Sequence, residues 1–424
     1  MCAKSRNVVK VMELSIISTT RKKFSLTQKQ AAEIVGVSKS TWQQWELGTR
    51  TMHVAFWEMF LSKVGCKSVL ENNFMKLVHK EFSLKDLKNN HAELARITHI
   101  KEQEKSVLKD FTFIDLFSGV GGIRTAFEDV GGGCVFSSEI DLFAQYTYYT
   151  NYGVIPFGDI TKILTSDIPE HDVLCGGFPC QPFSHIGKRE GFEHPTQGTM
   201  FHEVLRIIEN KKPKAIFLEN VPGLVNHDDG RTLSVILDSL RDVGYTCHHT
   251  ILNASDFGIP QSRKRFYLVG FLDENVEFSF PIPPNIKVYI GDYIEMGVTG
   301  YSISNHLQKV YLFKKNDGKP VLVDTESKGQ MKTLVSSYHK IQRLKGTFVK
   351  DGETGIRLLS QNECKAIMGF PKDFVIPVSR TQMYRQMGNS VVIPVVEAIA
   401  KKMVLSLKNK ESVVNASQIR IDRS

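Results

Sequence analysis

Phe111-Thr112-Phe113-Ile114-Asp115-Leu116-Phe117-Ser118-Gly119-Val120-Gly121-Gly122-Ile123 reads as a strand that turns through glycines into a helix. Glycines at such a junction let a ligand approach the backbone and the exposed N–H groups at the helix start. A second strand, Cys134 to Ser138, ends in Glu139. That acid lies about 20 residues beyond Gly119, the offset at which doubly wound nucleotide folds bind ribose hydroxyls. Phe157-Gly158-Asp159-Ile160 brings another acid to a strand end, and no Walker lysine follows the glycine turn. The pattern predicts a doubly wound α/β fold and a nucleoside ligand without a triphosphate.

Chemistry gathers downstream of that turn. Asp172-Val173-Leu174-Cys175 reads as a buried strand, and Gly176-Gly177-Phe178-Pro179-Cys180-Gln181-Pro182-Phe183-Ser184 follows it. Two prolines fix the backbone around one thiol, which suits a nucleophile presented rigidly to a planar substrate. Gly187 to Gln197 reads as a mobile lid ahead of a helix from Met200 to Asn210. The strand Lys214 to Leu218 ends in Glu219, and a carboxylate there points into the crevice beside the cysteine's strand. Arg263 and Arg265 precede the strand Phe266 to Gly270 and, as alternate residues of an extended segment, share one side.

Residues 272–355 break the alternating pattern with Pro281, Pro283, Pro284 and short β-like runs, as an inserted or separate domain would. Its stretch Lys332 to Lys340 is polar enough to read base edges. An amphipathic helix from Leu358 to Gly369, a Gly388-Asn389-Ser390 turn and an apolar helix from Val392 to Leu405 then complete the first domain, leaving a frayed polar tail from Lys408.

The basic balance is concentrated at the amino terminus. Residues 1 to 110 hold 19 Lys/Arg against 11 Asp/Glu, and residues 111 to 424 hold 35 against 34. Within that arm, Leu26 to Glu46 resembles the helix-turn-helix of phage-repressor-like DNA-binding proteins: Thr27 and Ser38 cap two helices and Gly36 permits the turn. The resemblance implies that Lys39, Ser40, Thr41, Gln43 and Gln44 face the major groove while Trp42 or Trp45 packs inward. The charged stretch from Glu71 to Asp110 reads as a helical linker, which puts a boundary near residue 105. The seven cysteines show no paired metal spacing, and no run approaches the ~20 apolar residues of a membrane helix. A cytoplasmic protein without metal or membrane partner is expected.

The Pro179-Cys180-Gln181 loop resembles the nucleophile loop of DNA cytosine-5 methyltransferases, and the other motifs keep that family's order over residues 111 to 271 and 356 to 405. The resemblance implies an S-adenosylmethionine-dependent methyltransferase fold with a small mixed or β recognition domain and an all-α helix-turn-helix domain. It divides the chain into 1–105, 106–271, 272–355 and 356–424. The implied cofactor is S-adenosylmethionine, with Phe117 stacking on adenine, Glu139 on the ribose, and Asp159 and Ile160 at the adenine edge. Gly119, Gly121, Pro179, Met200, Asn389 and Ser390 would complete that site, with Ile140 where the family more often has an aromatic.

The same resemblance makes Cys180 the nucleophile and Glu219 the acid, with Arg263 and Arg265 flanking a flipped cytosine. Thr333 and Leu334 fall in the recognition segment, which resembles that of enzymes modifying CC-containing sites such as CCNGG or CCWGG. Double-stranded DNA is the implied partner. A cognate restriction endonuclease is the implied genetic partner, and the arm is expected to pair on operator DNA. Two alternatives stay open: a transcriptional regulator with a degenerate enzyme body, and a tRNA-methylating relative.

Overall fold

The computed structural model describes residues 17–18, 21–22, 26–47, 60, 83–106, 109–179, 200–284 and 286–421. They belong to two compact units, Met1–Phe82 and Ser83–Ser424. In the first, helix α1 (Gln28–Ile34) starts in a capping box. Gln30 N donates to Thr27 Oγ1 at 3.2 Å and Thr27 N donates to Gln30 Oε1 at 2.9 Å, so two otherwise orphaned donors are satisfied. Gly36 turns the chain at φ +72° into α2 (Lys39–Leu47). Trp42 and Trp45 are both buried, in one cluster with Ala31, Ala32, Val35 and Phe60.

The second unit begins with α3 (Leu84–Ser106), which corrects the linker reading and the boundary near 105. Leu87, Leu94, Ala95, Thr98, His99 and Ser106 are buried along a stripe of helical spacing. Half of those residues are polar, so a search for an apolar face passes over them.

Then come β1 (Phe111–Leu116), α4 (Gly122–Glu128), β2 (Gly132–Ser138), α5 (Leu142–Tyr152), β3 (Val173–Gly176), α6 (Met200–Lys211), β4 (Ala215–Asn220), α7 (Arg231–Asp242), β5 (Thr246–Asn253), β6 (Gln261–Ser262) and β7 (Lys264–Phe271). One six-stranded sheet has the order β2-β1-β3-β4-β7-β5. The first four strands are parallel, and β7 runs antiparallel to both its neighbours. Successive side chains of a strand point to opposite faces. Phe113, Cys175, Phe217 and Val269 therefore join one core, and Ile114, Leu174, Ile216 and Leu268 join the other with α6 and α7.

The insert adds β8 (Val321–Val323), β9 (Met331–Lys332) and β10 (Thr347–Val349). It is not separately cored: Ile290, Ile303, Met331, Leu334 and Phe348 share a cluster with Met368, Tyr384 and Met387. Pairing of β6 with β9 ties it to the sheet domain. The helix expected over 358–369 is shorter, α8 (Gln361–Ala366), and begins at a Ser360–Glu363 capping box. α9 (Arg380–Asn389) and α10 (Ile393–Ile421) complete the unit, with α10 continuing through the tail expected to fray.

Asp115 on β1 is wholly buried, and among the described residues neither carboxyl oxygen has a hydrogen-bond partner of good geometry. Burial pushes its pKa up to about 8, against the pull of Arg124. An unfolded chain ionises this group near pH ~3.9. Between those values the folded state therefore holds the extra proton, and stability declines as pH rises. Asp115→Asn should gain on the wild type between pH 5 and 8, by at most about 1.4 kcal/mol per pH unit. Paired unfolding curves at several pH values measure the difference.

Candidate active site

The carboxyl ends of the parallel strands open on one cleft of about 960 Å³, whose wall includes Phe117, Gly119, Glu139, Ile140, Asp159, Ile160, Pro179, Met200, Asn389 and Ser390. Glu139 joins the first two strand ends. Its Oε2 accepts from Gly119 N at 2.8 Å and its Oε1 from Asp141 N at 2.7 Å. Burial raises its pKa, against those two N–H groups. Ile140 is 73% exposed beside it and offers an apolar face to the cleft. Asp159 accepts from the Thr161 hydroxyl at 2.7 Å and from Thr161 N at 3.1 Å, which lower its pKa.

Gly121, expected as a cofactor contact, is not among the described residues that line the cleft, although Val120 and Gly122 are. It sits at φ +88°, where a Cβ would lie 2.4 Å from the Tyr152 ring. Tyr152 donates its hydroxyl to Gly121 O at 2.8 Å, so this glycine lets an aromatic ring close the back of the turn.

Two strands over, β3 and β4 lie side by side in register, Gly176 beside Leu218. Glu219 follows, its side chain 13% exposed, with Oε1 3.0 Å from Arg265 Nε. Burial raises the Glu219 pKa, and Arg265 and then Arg263 oppose it. A Cβ built on Gly177 would lie 3.6 Å from Glu219 Oε2, so the carboxyl adjoins the backbone leading toward Cys180. Cys180 itself, and the Gly187 to Gln197 stretch expected to act as a lid, lie outside the described residues.

Arg263 does not line the cleft. Its guanidinium is buried and donates to Leu334 O at 2.7 Å, Gly388 O at 3.0 Å and Ser390 O at 2.6 Å. Expected to flank the base beside Arg265, it is engaged here in holding three chain segments together, and its charge still reaches Glu219. Thr333 and Leu334, expected as DNA contacts, dock this stretch on β6. Thr333 donates its hydroxyl to Ser262 O at 2.6 Å, and Leu334 is buried with its N–H on Gln261 Oε1 at 2.8 Å.

The residues just after them, Ser336, Ser337, His339 and Lys340, form the insert's wall of the cleft. They fall in the polar stretch singled out from sequence. Gln382 and Arg385 also line it and were missed, although with Gln386 and Asn389 they follow the i, i+3, i+4, i+7 spacing of one helix face. Acids Glu139, Asp141 and Asp159 thus stand at one end of the cleft, and Lys340, His339 and Arg385 belong to the insert and α9.

In the first unit, Lys39, Ser40 and Gln44 are exposed on α2 and Thr41 is half-buried. Gln43 donates to Gln28 Oε1 at 3.0 Å, which engages it within the helix pair. Among the described residues, no group of three or more His, Cys, Asp or Glu could hold a metal ion, and no helix is long and apolar enough to cross a membrane.

A mixed sheet whose parallel strand ends carry a glycine turn, a buried acid bonded to that turn and a second buried carboxyl held by arginine has the layout of an α/β enzyme with its cleft at the strand ends. The sequence profile of the C-5 cytosine-specific DNA methylase family matches residues 111–405, and the chain belongs to that family. It is similar to the Type II methyltransferase M.MspI of Moraxella sp, 64% identical over 402 residues, which are 94% of this chain and 96% of that one. It is also similar to the Type II methyltransferase M.BsuFI of Bacillus subtilis, 58% identical over 69% of this chain and 72% of the relative. Among solved structures, Entamoeba histolytica methyltransferase EhMeth superposes with a TM-score of 0.58 at 23% identity, over 70% of this chain and 98% of that one. That likeness bears on the fold.

The turn geometry gives a direct test. Gly121→Ala meets both the positive φ and the Tyr152 ring, so it should cost roughly 1–3 kcal/mol of stability. Denaturant unfolding measures this loss; an unchanged midpoint would refute the close approach.

Proposed function

We propose that this methyltransferase modifies carbon 5 of a specific cytosine in double-stranded DNA through a covalent Cys180 adduct on a flipped base, protecting DNA from a cognate restriction enzyme. The observation that carries this reading is Glu219: a buried carboxyl against Arg265, beside the backbone that leads to Cys180 and on the same cleft as Glu139. The residues present fit S-adenosylmethionine. Phe117, Ile140 and Ile160 offer apolar faces for a flat ring, Glu139 suits ribose hydroxyls, and the acids at that end suit a cation. When bound, this cofactor supplies an electrophilic methyl group.

The chain's own residues supply the rest. Carbon 5 of cytosine is a poor nucleophile, so the Cys180 thiolate attacks carbon 6 and makes carbon 5 an enamine carbon. Glu219, its pKa raised by burial, holds a proton toward ring nitrogen 3 and offsets the charge that attack develops. Arg265 adds positive field at the same place and steadies the carboxyl. Once carbon 5 carries the methyl group its proton passes to water, the electron pair of that C–H bond re-forms the double bond between carbons 5 and 6, and the carbon 6–sulfur bond breaks to release Cys180 as thiolate. A base inside a duplex is out of reach of these groups, so it must leave the stack. Lys340, His339 and Arg385 on the cleft wall suit the phosphates and base edges of that strand. Residues 272–355 act as the recognition element and read a CC-containing site.

The helix pair of the first unit acts as a second DNA reader and represses transcription of the enzyme's own gene or of a neighbouring restriction gene. One such unit contacts few base pairs, so two copies would bind a pseudo-palindrome with half-sites about one helical turn apart.

Cys180→Ser should abolish methylation while duplex binding stays within about threefold of wild type, since the thiolate does the chemistry and other groups make the contacts. A filter assay of methyl transfer beside a gel-shift titration tests both halves, and near-normal turnover would end the nucleophile assignment. For the arm, deleting residues 1–82 should leave methylation within about twofold and remove a footprint upstream of the gene. A full-length protein that gives no footprint beyond its methylation sites would end the regulatory reading.

A further inference from the structure

Helix α3 lies upstream of the family match, which begins at residue 111, yet it touches two stretches that lead to the cleft. Strand β2, which delivers Glu139, is at the edge of the sheet. An edge strand presents backbone groups that need partners. Here α3 provides them with side chains: Ser106 Oγ donates to Cys134 O at 3.1 Å, and Gln103 Nε2 donates to Val135 O at 3.2 Å. Ser137 N donates to His99 Nε2 at 3.1 Å. Because Nε2 accepts, the ring proton sits on Nδ1, which donates to Ala95 O at 2.9 Å. His99 is buried and therefore stays neutral, its pKa pushed down to about 3.

The second stretch is the segment that precedes Asp159. Ile155 N donates to Thr98 Oγ1 at 3.0 Å, and His91 Nε2 lies 3.0 Å from Pro156 O. The His99 ring packs 4.6 Å from the Phe157 ring, which stacks in turn on Phe136 of β2. Phe157 is bonded to both sides of the strand end: its N–H donates to Ser137 O, and its carbonyl accepts from Glu139 N, each at 2.8 Å.

We propose that α3 serves as a surrogate edge strand that positions the cofactor rim, with His99 as its central positioning residue: it fixes β2 beneath Glu139 and, through Phe157, the loop that carries Asp159. The inference rests on the reading that Glu139 and Asp159 hold S-adenosylmethionine. Its test uses the full-length protein, with cofactor affinity by calorimetry and steady-state kinetics on duplex DNA.

His99→Leu, which keeps an apolar side chain but removes the acceptor, should raise the S-adenosylmethionine Kd and KM about tenfold, with most of the loss in KM rather than kcat. His99→Gln, whose amide oxygen can accept from Ser137 N, should recover most of it. Glu139→Ala is the control. If it binds cofactor as wild type does, the cofactor reading falls and this proposal with it. If Glu139→Ala is weakened and His99→Leu is not, only the present proposal falls. A parallel loss of cofactor affinity, DNA affinity and kcat in both His99 variants would reduce His99 to general packing and overturn the positioning role. Should His99→Leu not fold, Thr98→Val removes the partner of Ile155 N with little change of shape. Unchanged cofactor affinity in that variant would overturn the proposal.

Discussion

A carboxyl group taken out of water at the end of β4 sets the demands that the surrounding structure meets. Burial alone favours the neutral form of Glu219, and the nearby Arg265 limits how far that goes. Such a group keeps its geometry only if its supports are rigid. β4 is hydrogen-bonded on both sides, by β3 and by β7, so Glu219 stands on an interior strand. Asn220, the next residue, donates to Phe178 O at 3.0 Å and pins the start of the cysteine loop to the same strand end. Glu219 and the backbone leading toward Cys180 are thus referenced to one strand end.

The second constraint is how the insert meets the sheet domain. Arg263 gathers carbonyls from the insert, from the end of α9 and from the turn after it, and this costs the protein a fully desolvated guanidinium. Backbone carbonyls do not titrate, so the arrangement does not depend on a partner's protonation. It also explains why the insert shares a core with the sheet domain.

Much of this was legible in the sequence because strand ends obey simple spacing. The glycine turn, Glu139, Asp159 and Glu219 each follow an apolar run, and all but Gly121 among the turn and acid residues singled out reach the cleft wall. Alternation placed Arg263 and Arg265 on one side but carried no information on depth: Arg263 is buried, whereas Arg265 lines the cleft. Thr333 and Leu334 show the same limit: a polar stretch can begin with residues that dock it. Helix α3 was read as a solvated linker because its inward stripe carries His91, Thr98, His99 and Glu102, whose worth lies in hydrogen bonds and an ion pair to Arg124 rather than in apolar area. Cys180 was the clearest mark in the sequence, and it lies outside the described residues.

Gly388 has a bearing on any exchange of the insert between related chains. A Cβ there would lie 2.2 Å from Ser336 N, so the insert's cleft-facing loop rests directly on the backbone of α9. Backbone-to-backbone contact leaves no side chain to absorb a misfit. A chimera that grafts a foreign insert onto this scaffold therefore has to carry a loop of the same path over residue 388. It must also bring a strand that pairs with Gln261–Ser262 as Met331–Lys332 does. Splice points inside that seam would separate matched halves, whereas transplants that include both of its sides would move as a single graft.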